Sequence, residues 1–198
     1  GLNRRRSHLI GVMVSRISDP FRSSLLDALL GEIQRRGFQA LVSEIRSEQD
    51  LARTLRRFSQ FRVSGVIVTS GQPPESLVNE CVSQQIPVVG INRQPDIPFV
   101  DYVCSDNVCG ATLAAGQLVG NGCRRFGWLN TSHSTWAGRM RGDAFYQALQ
   151  ALGVDTTRDL QALIAPTEGY DGGVEAALSA DANLEGIFCA NAQLACGF

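Results

Sequence analysis

The sequence contains no lysine: all 18 of its cationic side chains are arginine. They are balanced by 19 acidic side chains, which gives a formal net charge of -1 at pH 7. A chain so near neutrality lacks the basic excess that attracts nucleic acid or a membrane surface. It also has no apolar run long enough to cross a bilayer. We therefore expect this segment of 198 residues to be globular and not to bind DNA or membranes directly.

Metal-binding and catalytic signatures are missing as well. The chain has only two histidines, and its six cysteines include no CxxC pair, so we expect no metal and no cofactor. Walker A, G-x-S-x-G and H-E-x-x-H sequences are absent, and "GNGCRR" at 120–125 indicates a helix stop. We predict a binding protein and not an enzyme. Cysteines within apolar runs are typical of a reducing cytoplasm.

Short aliphatic runs alternate with helical patterns along the chain, which predicts an α/β fold with parallel strands. One predicted helix, "PFRSSLLDALLGEIQRRG", places Phe21, Leu25, Leu29 and Ile33 on one face. We predict eight strands, at 9–14, 39–43, 65–69, 88–92, 102–105, 126–130, 160–165 and 186–190.

An internal repeat divides the sequence into two halves. Gly11 precedes the helix-ending Gly37 by the same 26 residues that separate Gly127 from Gly153. We predict two similar Rossmann-like subdomains, 9–104 and 105–198, after a linker remnant at 1–8. Because ligands bind at the carboxyl ends of parallel strands, we expect a ligand cleft between the two halves.

The segment "TSHSTWAGRMRGDAF" places two arginines near the start of a predicted helix. Arg141 lies four residues before Phe145, on the same buried stripe of the helix. Arg139 is turned roughly 120° away from Phe145 around the helix axis. We predict that Arg141 reaches a ligand over the strand ends from the first turn of the helix. The alternative is an ion pair with Asp106 or Asp143.

Further candidate ligand contacts lie in the loops after the predicted strands. Asp19 suits a helix N-cap before Pro20, although it is also a candidate ligand. Phe21, Trp136 and Tyr170 each have two interpretations, since an aromatic ring at a helix start either stacks on a ligand or fills the core. Ser15, in the loop "SRISDPF", is a polar candidate in the first half.

The order of motifs resembles the effector-binding core of LacI/GalR-family transcriptional regulators, which are similar in fold to periplasmic sugar-binding proteins. The resemblance rests on "IGVMVSRISDPF", "SGVIVTS", "IPVVGINR" and "VCSDNVCGATLAAGQLVGNGCRRFGWL". It continues through "RMRGDAFYQALQALG", "EGYDGG" and "GIFCANAQLACG", and covers nearly the whole chain from His8.

The resemblance implies a type I periplasmic-binding-protein fold and a cytoplasmic homodimer. A small polar effector, a sugar or a related metabolite, would bind in the cleft and modulate operator DNA binding through a headpiece outside this chain. It further implies that Arg141, Phe21 and Asp19 contact the effector. We expect the chain to be part of a longer protein. The alternative is an extracytoplasmic sugar-binding protein of a transporter.

One departure from the family pattern affects the predicted site. Family members usually carry Asn-Asp where this chain has Asn191-Ala192, and in many members that aspartate binds effector hydroxyls. Its replacement implies either an effector other than a plain sugar, or another acceptor such as Asn191.

Overall fold

A computed structural model of the chain describes residues 7–69, 75–92, 97–132 and 135–198. The chain divides into two compact units, Gly1–Cys104 and Ser105–Phe198, called unit 1 and unit 2 below. Each unit consists of parallel strands joined by helices, so the predicted fold of two parallel-sheet α/β subdomains is confirmed.

Unit 1 has a parallel sheet of five described strands in the order β2-β1-β3-β4-β5. Helix α1 packs on one face of this sheet, against Val12 and Val14, and α2 and α3 pack on the other face. The elements of unit 1 are β1 (Leu9–Val14), α1 (Pro20–Arg35), β2 (Gln39–Glu44), α2 (Glu48–Gln60), β3 (Gly65–Val68), α3 (Glu75–Ser83), β4 (Val88–Ile91) and β5 (Val100–Val103).

Unit 2 repeats the first part of this topology, with three described parallel strands in the order β7-β6-β8. Helices α4 and α5 cover one face of the sheet, and α7 and α8 cover the other. The elements of unit 2 are α4 (Asn107–Gly120), β6 (Phe126–Thr131), α5 (Trp136–Ala151), α6 (Thr156–Asp159), β7 (Leu160–Ala165), α7 (Gly169–Ser179), β8 (Gly186–Cys189) and α8 (Ala192–Gly197).

The predicted repeat is present in the first helix of each unit. Both α1 and α5 have 16 residues, and each begins directly after a side-chain N-cap, Asp19 in α1 and Thr135 in α5. Each is followed by a glycine with positive φ, +79° at Gly37 and +83° at Gly153. A β-carbon is disfavoured in this left-handed conformation, so glycine ends both helices at equivalent positions.

Several strand ends differ from the sequence prediction by one or two residues, and two boundaries bear on the candidate site. Strand β5 ends at Val103, because Ser105 already turns the chain: its carbonyl accepts a hydrogen bond from the Asn107 amide at 2.8 Å. Helix α5 begins at Trp136, where the Thr135 hydroxyl accepts a hydrogen bond from the Gly138 amide. Arg141 therefore lies in the second turn of α5, and the expectation that it occupies the first turn was wrong.

Glycine at position 142 allows α5 to approach the sheet of unit 2 closely. A β-carbon built there would lie 2.7 Å from Nε1 of Trp128, whose ring also packs on Phe145 and Phe188. No methyl group fits at that distance. The aromatic cluster of unit 2 therefore depends on the missing side chain beside Arg141.

Among the described residues, no helix is both long enough and apolar enough to cross a membrane.

We predict that Gly142→Ala lowers the free energy of unfolding by about 1–3 kcal/mol, because the added methyl group overpacks Trp128. Urea unfolding followed by tryptophan emission measures the change. The matched control is Gly116→Ala in α4, where a β-carbon meets no atom within 4 Å. There the same substitution should raise stability by about 0.4–1 kcal/mol. Equal effects at both positions would contradict this account of the packing.

Candidate functional site

The carboxyl ends of the strands of unit 2 form one edge of its sheet. From β6 the chain crosses to β7 on one side, whereas β8 pairs with β6 on the other side. This arrangement makes the gap between β6 and β8 a topological switch point, the place where open α/β sheets bind ligands. Arg141 reaches this point from α5, the helix that follows β6.

Two hydrogen bonds hold the Arg141 guanidinium at the switch point. Its Nε donates to Oδ1 of Asn107 at 2.9 Å, and its Nη1 donates to the carbonyl oxygen of Ala190 at 2.6 Å. Asn107 is the first residue of α4 and is buried, and Ala190 directly follows β8. A single side chain thus connects α4, α5 and the end of β8.

The predicted direction of Arg141 is confirmed, because its side chain is half-buried while that of Arg139 is exposed. Burial lowers the pKa of the Arg141 guanidinium from its ordinary value, although an arginine remains protonated at neutral pH. No carboxylate of the described residues lies within ion-pair distance of it. The alternative ion pair with Asp106 or Asp143 is therefore not formed, and Oδ1 of Asp106 caps α4 by accepting from the Cys109 amide.

Asn191 follows Ala190 at the same edge, and its side-chain oxygen has a structural role. Oδ1 of Asn191 accepts a hydrogen bond from the Leu194 amide at 3.0 Å and so caps α8. The side chain of Asn191 is exposed, as is Ala192 after it. The predicted acceptor function of Asn191 would therefore depend on the second lone pair of this oxygen.

The two aromatic candidates of unit 2 begin helices at this edge. Trp136 is the first residue of α5 and is half-buried, whereas the core tryptophan of the unit is Trp128. Tyr170 is the second residue of α7, and 57% of its surface is exposed. Neither ring belongs to the buried core, which leaves both available for stacking on a ligand.

In unit 1, the predicted N-cap is confirmed. Oδ1 of Asp19 accepts hydrogen bonds from the amides of Phe21 and Arg22, at 2.9 and 3.2 Å, and Pro20 is the first helical residue. Phe21 is 62% exposed, so the buried stripe of α1 does not begin with it. Arg22 is half-buried in its place, since the buried side of the first turn lies one residue further along the helix.

Ser15 is held by Arg22, which the sequence reasoning did not single out. Nη1 of Arg22 donates to both the carbonyl oxygen and Oγ of Ser15, at 3.2 and 3.0 Å. Ser15 also lines an open cavity of about 550 Å³ at the carboxyl ends of β1 and β2, together with Ile17 and Glu44. The polar candidate of unit 1 is therefore at a concave surface, as a ligand contact requires.

Sequence reasoning also missed Asn107, the acceptor for Arg141. Its only signal in the sequence is the pair Asp106-Asn107 at the start of α4, and a separation of 34 positions from Arg141 gives no periodic pattern. Arg93 and His133, in two of the predicted loops, lie outside the described residues. The described part of the chain contains no group of three or more histidine, cysteine or acidic side chains placed to hold a metal ion.

Two parallel α/β units with polar side chains at the carboxyl edges of their sheets define a two-unit ligand-binding protein. A family model described as "Periplasmic binding proteins and sugar binding domain of LacI family" matches residues 7–198. The chain belongs to this family, as the resemblance in its motifs predicted.

Comparison with individual proteins gives both regulators and transport proteins. The chain is 28% identical over 193 residues to the HTH-type transcriptional regulator GalS of Salmonella typhimurium, covering 96% of this chain and 57% of GalS. It is 26% identical over 197 residues to the ribose import binding protein RbsB of the same species, covering 95% of this chain and 65% of RbsB. The chain thus spans less than two thirds of these relatives.

Solved structures agree with this assignment. A LacI family transcriptional regulator from Enterococcus faecium, crystallised with bound ribose, is 25% identical to the chain and superposes with a TM-score of 0.82. The match covers 96% of this chain and 69% of that one.

The contact between Asn107 and Arg141 leads to a prediction about stability. Asn107→Asp would place a carboxylate beside the guanidinium with little change in size. We expect it to raise the free energy of unfolding at pH 7 by about 0.5–1 kcal/mol, a value reduced for solvent screening at a half-exposed cation. A neighbouring cation depresses a carboxyl pKa, so the gain is present at neutral pH and disappears as pH falls through that pKa.

Urea unfolding of Asn107→Asp at pH 7 and pH 3 measures this gain. An acidic residue in the first turn of α4 also interacts favourably with the helix dipole. The same substitution is therefore measured in an Arg141→Gln background, which isolates the pairwise interaction. An equal gain in both backgrounds would show that Arg141 does not sense the carboxylate.

Proposed function

We propose that this chain is the effector-sensing region of a LacI-type transcriptional regulator in the cytoplasm. The observation that carries the proposal is the half-buried guanidinium of Arg141 at the switch point between β6 and β8, in a chain of this family. Two of its five N–H groups are bound to Asn107 and Ala190, which fixes its position and leaves donors for a ligand. The effector is a small polar metabolite, a sugar or a related compound.

Regulation follows if the effector binds one conformation of the protein better than another. Such a preference shifts the population of conformations, and a coupling of about 1–3 kcal/mol changes operator affinity roughly 5- to 150-fold. The operator would be bound by a headpiece outside this chain, as the match to an HTH-type regulator suggests. No catalytic step is needed, and we propose that the protein is not an enzyme.

The unit 1 candidates Ser15, Asp19 and Phe21 are proposed to bind the same effector. Exposure of Phe21 supports this, because an apolar ring left in water gains by stacking on a ligand. In Asp19, Oδ1 is used by the helix cap, and Oδ2 makes no hydrogen bond among the described residues. That both units contribute to one site remains a prediction.

A transporter-linked solute-binding protein is the second candidate, favoured by the match to RbsB. It would use the same side chains without any effect on DNA. The two candidates are separated by whether the effector changes the affinity of the complete protein for its operator.

Arg141 provides the test of effector binding. A ligand is first found by thermal-shift screening of sugars, sugar acids, nucleosides and phosphorylated metabolites. We expect Arg141→Ala to weaken its binding by roughly 1.5–3 kcal/mol, about 10- to 150-fold, through loss of charge-assisted hydrogen bonds. Calorimetric titration measures this, and gel-shift titration of the complete protein with effector measures the operator response.

Arg139→Ala is the matched control for this experiment. It removes the same charge two residues away, from an exposed side chain, and should change effector affinity less than threefold. Equal losses at both positions would contradict the site. Effector binding without any change in operator affinity would contradict the regulatory function and favour the transport alternative.

We also propose that the complete protein is a homodimer. Unit 2 has exposed apolar side chains on β7, an edge strand of the described sheet, and on α7, which packs beside it. Ile164 is 66% exposed and Leu178 is 85% exposed. Large apolar side chains left exposed at a sheet edge and on a helix surface are candidates for burial in a protein–protein interface.

Substitution of Leu178 tests this surface. Leu178→Glu should shift the protein from dimer to monomer in sedimentation velocity, because it places a charge in an apolar contact. Leu113→Glu, at a leucine of α4 with 68% exposure, is the control and should leave the dimer intact. If only the control disrupted the dimer, the interface would lie elsewhere.

A further inference from the structure

Four oxygens at the carboxyl edge of unit 2, among the described residues, each already accept a hydrogen bond within the protein. Oδ1 of Asn107 and the Ala190 carbonyl are bound by Arg141, and Oδ1 of Asn191 is bound by the Leu194 amide. On the β6 side, Oγ1 of Thr135 accepts from the Gly138 amide, so it too is used within the protein. Each of these oxygens retains at most a second lone pair for a ligand.

The donors at the same edge are less committed. Nη2 of Arg141 makes no hydrogen bond to a described residue, and neither does Nδ2 of Asn191. The side chain of Ala192 contributes no polar atom. A ligand group that approaches this point therefore meets donors first.

Negative charge is also missing where the guanidinium lies. Asp106 is turned to the amide of Cys109, and Asp143 is exposed on α5. Glu168 and Asp171 follow β7, which is separated from β8 by β6. Within the described residues, Arg141 thus keeps a full positive charge in a half-buried position, with only neutral acceptors around it.

We propose that the effector carries an anionic group, a carboxylate or a phosphate ester, that is bound by Nη2 of Arg141 beside the end of β8. This inference rests on the proposed function, in which Arg141 binds the effector. A neutral hydroxyl brings a proton that needs an acceptor, whereas an anion brings acceptors alone and supplies the missing counter-charge. Asn191, through Nδ2, would donate to the same group.

Paired probes test the charge of the effector. Isothermal titration compares D-ribose with D-ribose 5-phosphate, and D-glucose with D-gluconate and D-glucose 6-phosphate, on the same protein. We expect at least one anionic probe to bind 10-fold or more tightly than its neutral counterpart, and to weaken as ionic strength rises. The gluconate and phosphate arms distinguish a carboxylate from a phosphate ester. Tighter binding of a neutral sugar than of both its charged forms would overturn the inference.

Asn107→Asp is the variant that isolates charge from shape. The introduced carboxylate should keep the Arg141 guanidinium in place, and its negative charge should neutralise the positive charge of Arg141. Affinity for the anionic probe should fall at least 10-fold, whereas affinity for a neutral sugar should change less than threefold. An equal loss for both probes would contradict a charge-based site.

Inorganic phosphate gives a readout that needs no organic ligand. At constant ionic strength, replacing chloride by phosphate should raise the Tm of the native protein more than that of Asn107→Asp. If none of the organic probes binds and the Tm responses are also equal, the anionic site does not exist.

Failure of this inference differs from failure of the proposed function. A neutral sugar that binds tightly through Arg141 and changes operator affinity would leave the regulator intact and remove the anionic effector. An anion that binds through Arg141 without changing operator affinity would support the anionic site and contradict the regulatory function.

Discussion

The carboxyl edge of unit 2 depends on the interaction of one guanidinium with two neutral oxygens. Arg141 satisfies the side chain of Asn107, which is buried, and the carbonyl of Ala190, which is also buried. Without it, both acceptors would be buried with no protein partner, which proteins rarely tolerate. The same contacts hold a cation where solvent screens it only in part. The side chain of Arg141 therefore completes the hydrogen bonding at the end of β8. It also leaves a partly buried positive charge that an anionic ligand could neutralise.

In unit 1, a different arginine donates hydrogen bonds to the chain at the end of the first strand. Arg22 donates to the carbonyl and hydroxyl of Ser15, directly after β1. In the repeat, however, the residue equivalent to Arg141 is Leu25, and the residue equivalent to Arg22 is Gly138. The two units thus share strand order, helix caps and helix-ending glycines, but not the position of the arginine. The two halves are therefore similar in backbone structure. The polar side chains at the carboxyl edges of their sheets differ.

Local signals explain which parts of this structure are predictable from the sequence. The Asp19 cap and the glycines after α1 and α5 involve neighbours a few residues apart, so the sequence shows them directly. Helical phase likewise separates Arg141 from Arg139, even though the predicted start of α5 was wrong. Phe21 shows the limit of the same method, because periodicity defines a face of a helix but not how far the core extends along it.

Contacts between distant residues are the part that local patterns miss. The acceptors of Arg141 come from positions 34 and 49 residues away, on a helix start and a strand end. Asn107 looks like an ordinary first-turn residue until the sheet of unit 2 is assembled. Within the described residues, the lack of a counter-charge is also a property of the assembled edge, since the sequence alone left open an ion pair of Arg141 with Asp106 or Asp143.

Specificity at this edge is a matter of donor and acceptor balance more than of shape. Oδ1 of Asn191 already caps α8 and has one further lone pair for a ligand hydroxyl, and the side chain of the alanine after it offers no oxygen. A site with few uncommitted acceptors among its described residues favours groups that accept over groups that must donate, because an unpaired donor in a partly buried place is costly. Under the proposed function, alanine at position 192 would favour a ligand that accepts hydrogen bonds here, with no change in the strands and helices that form the edge.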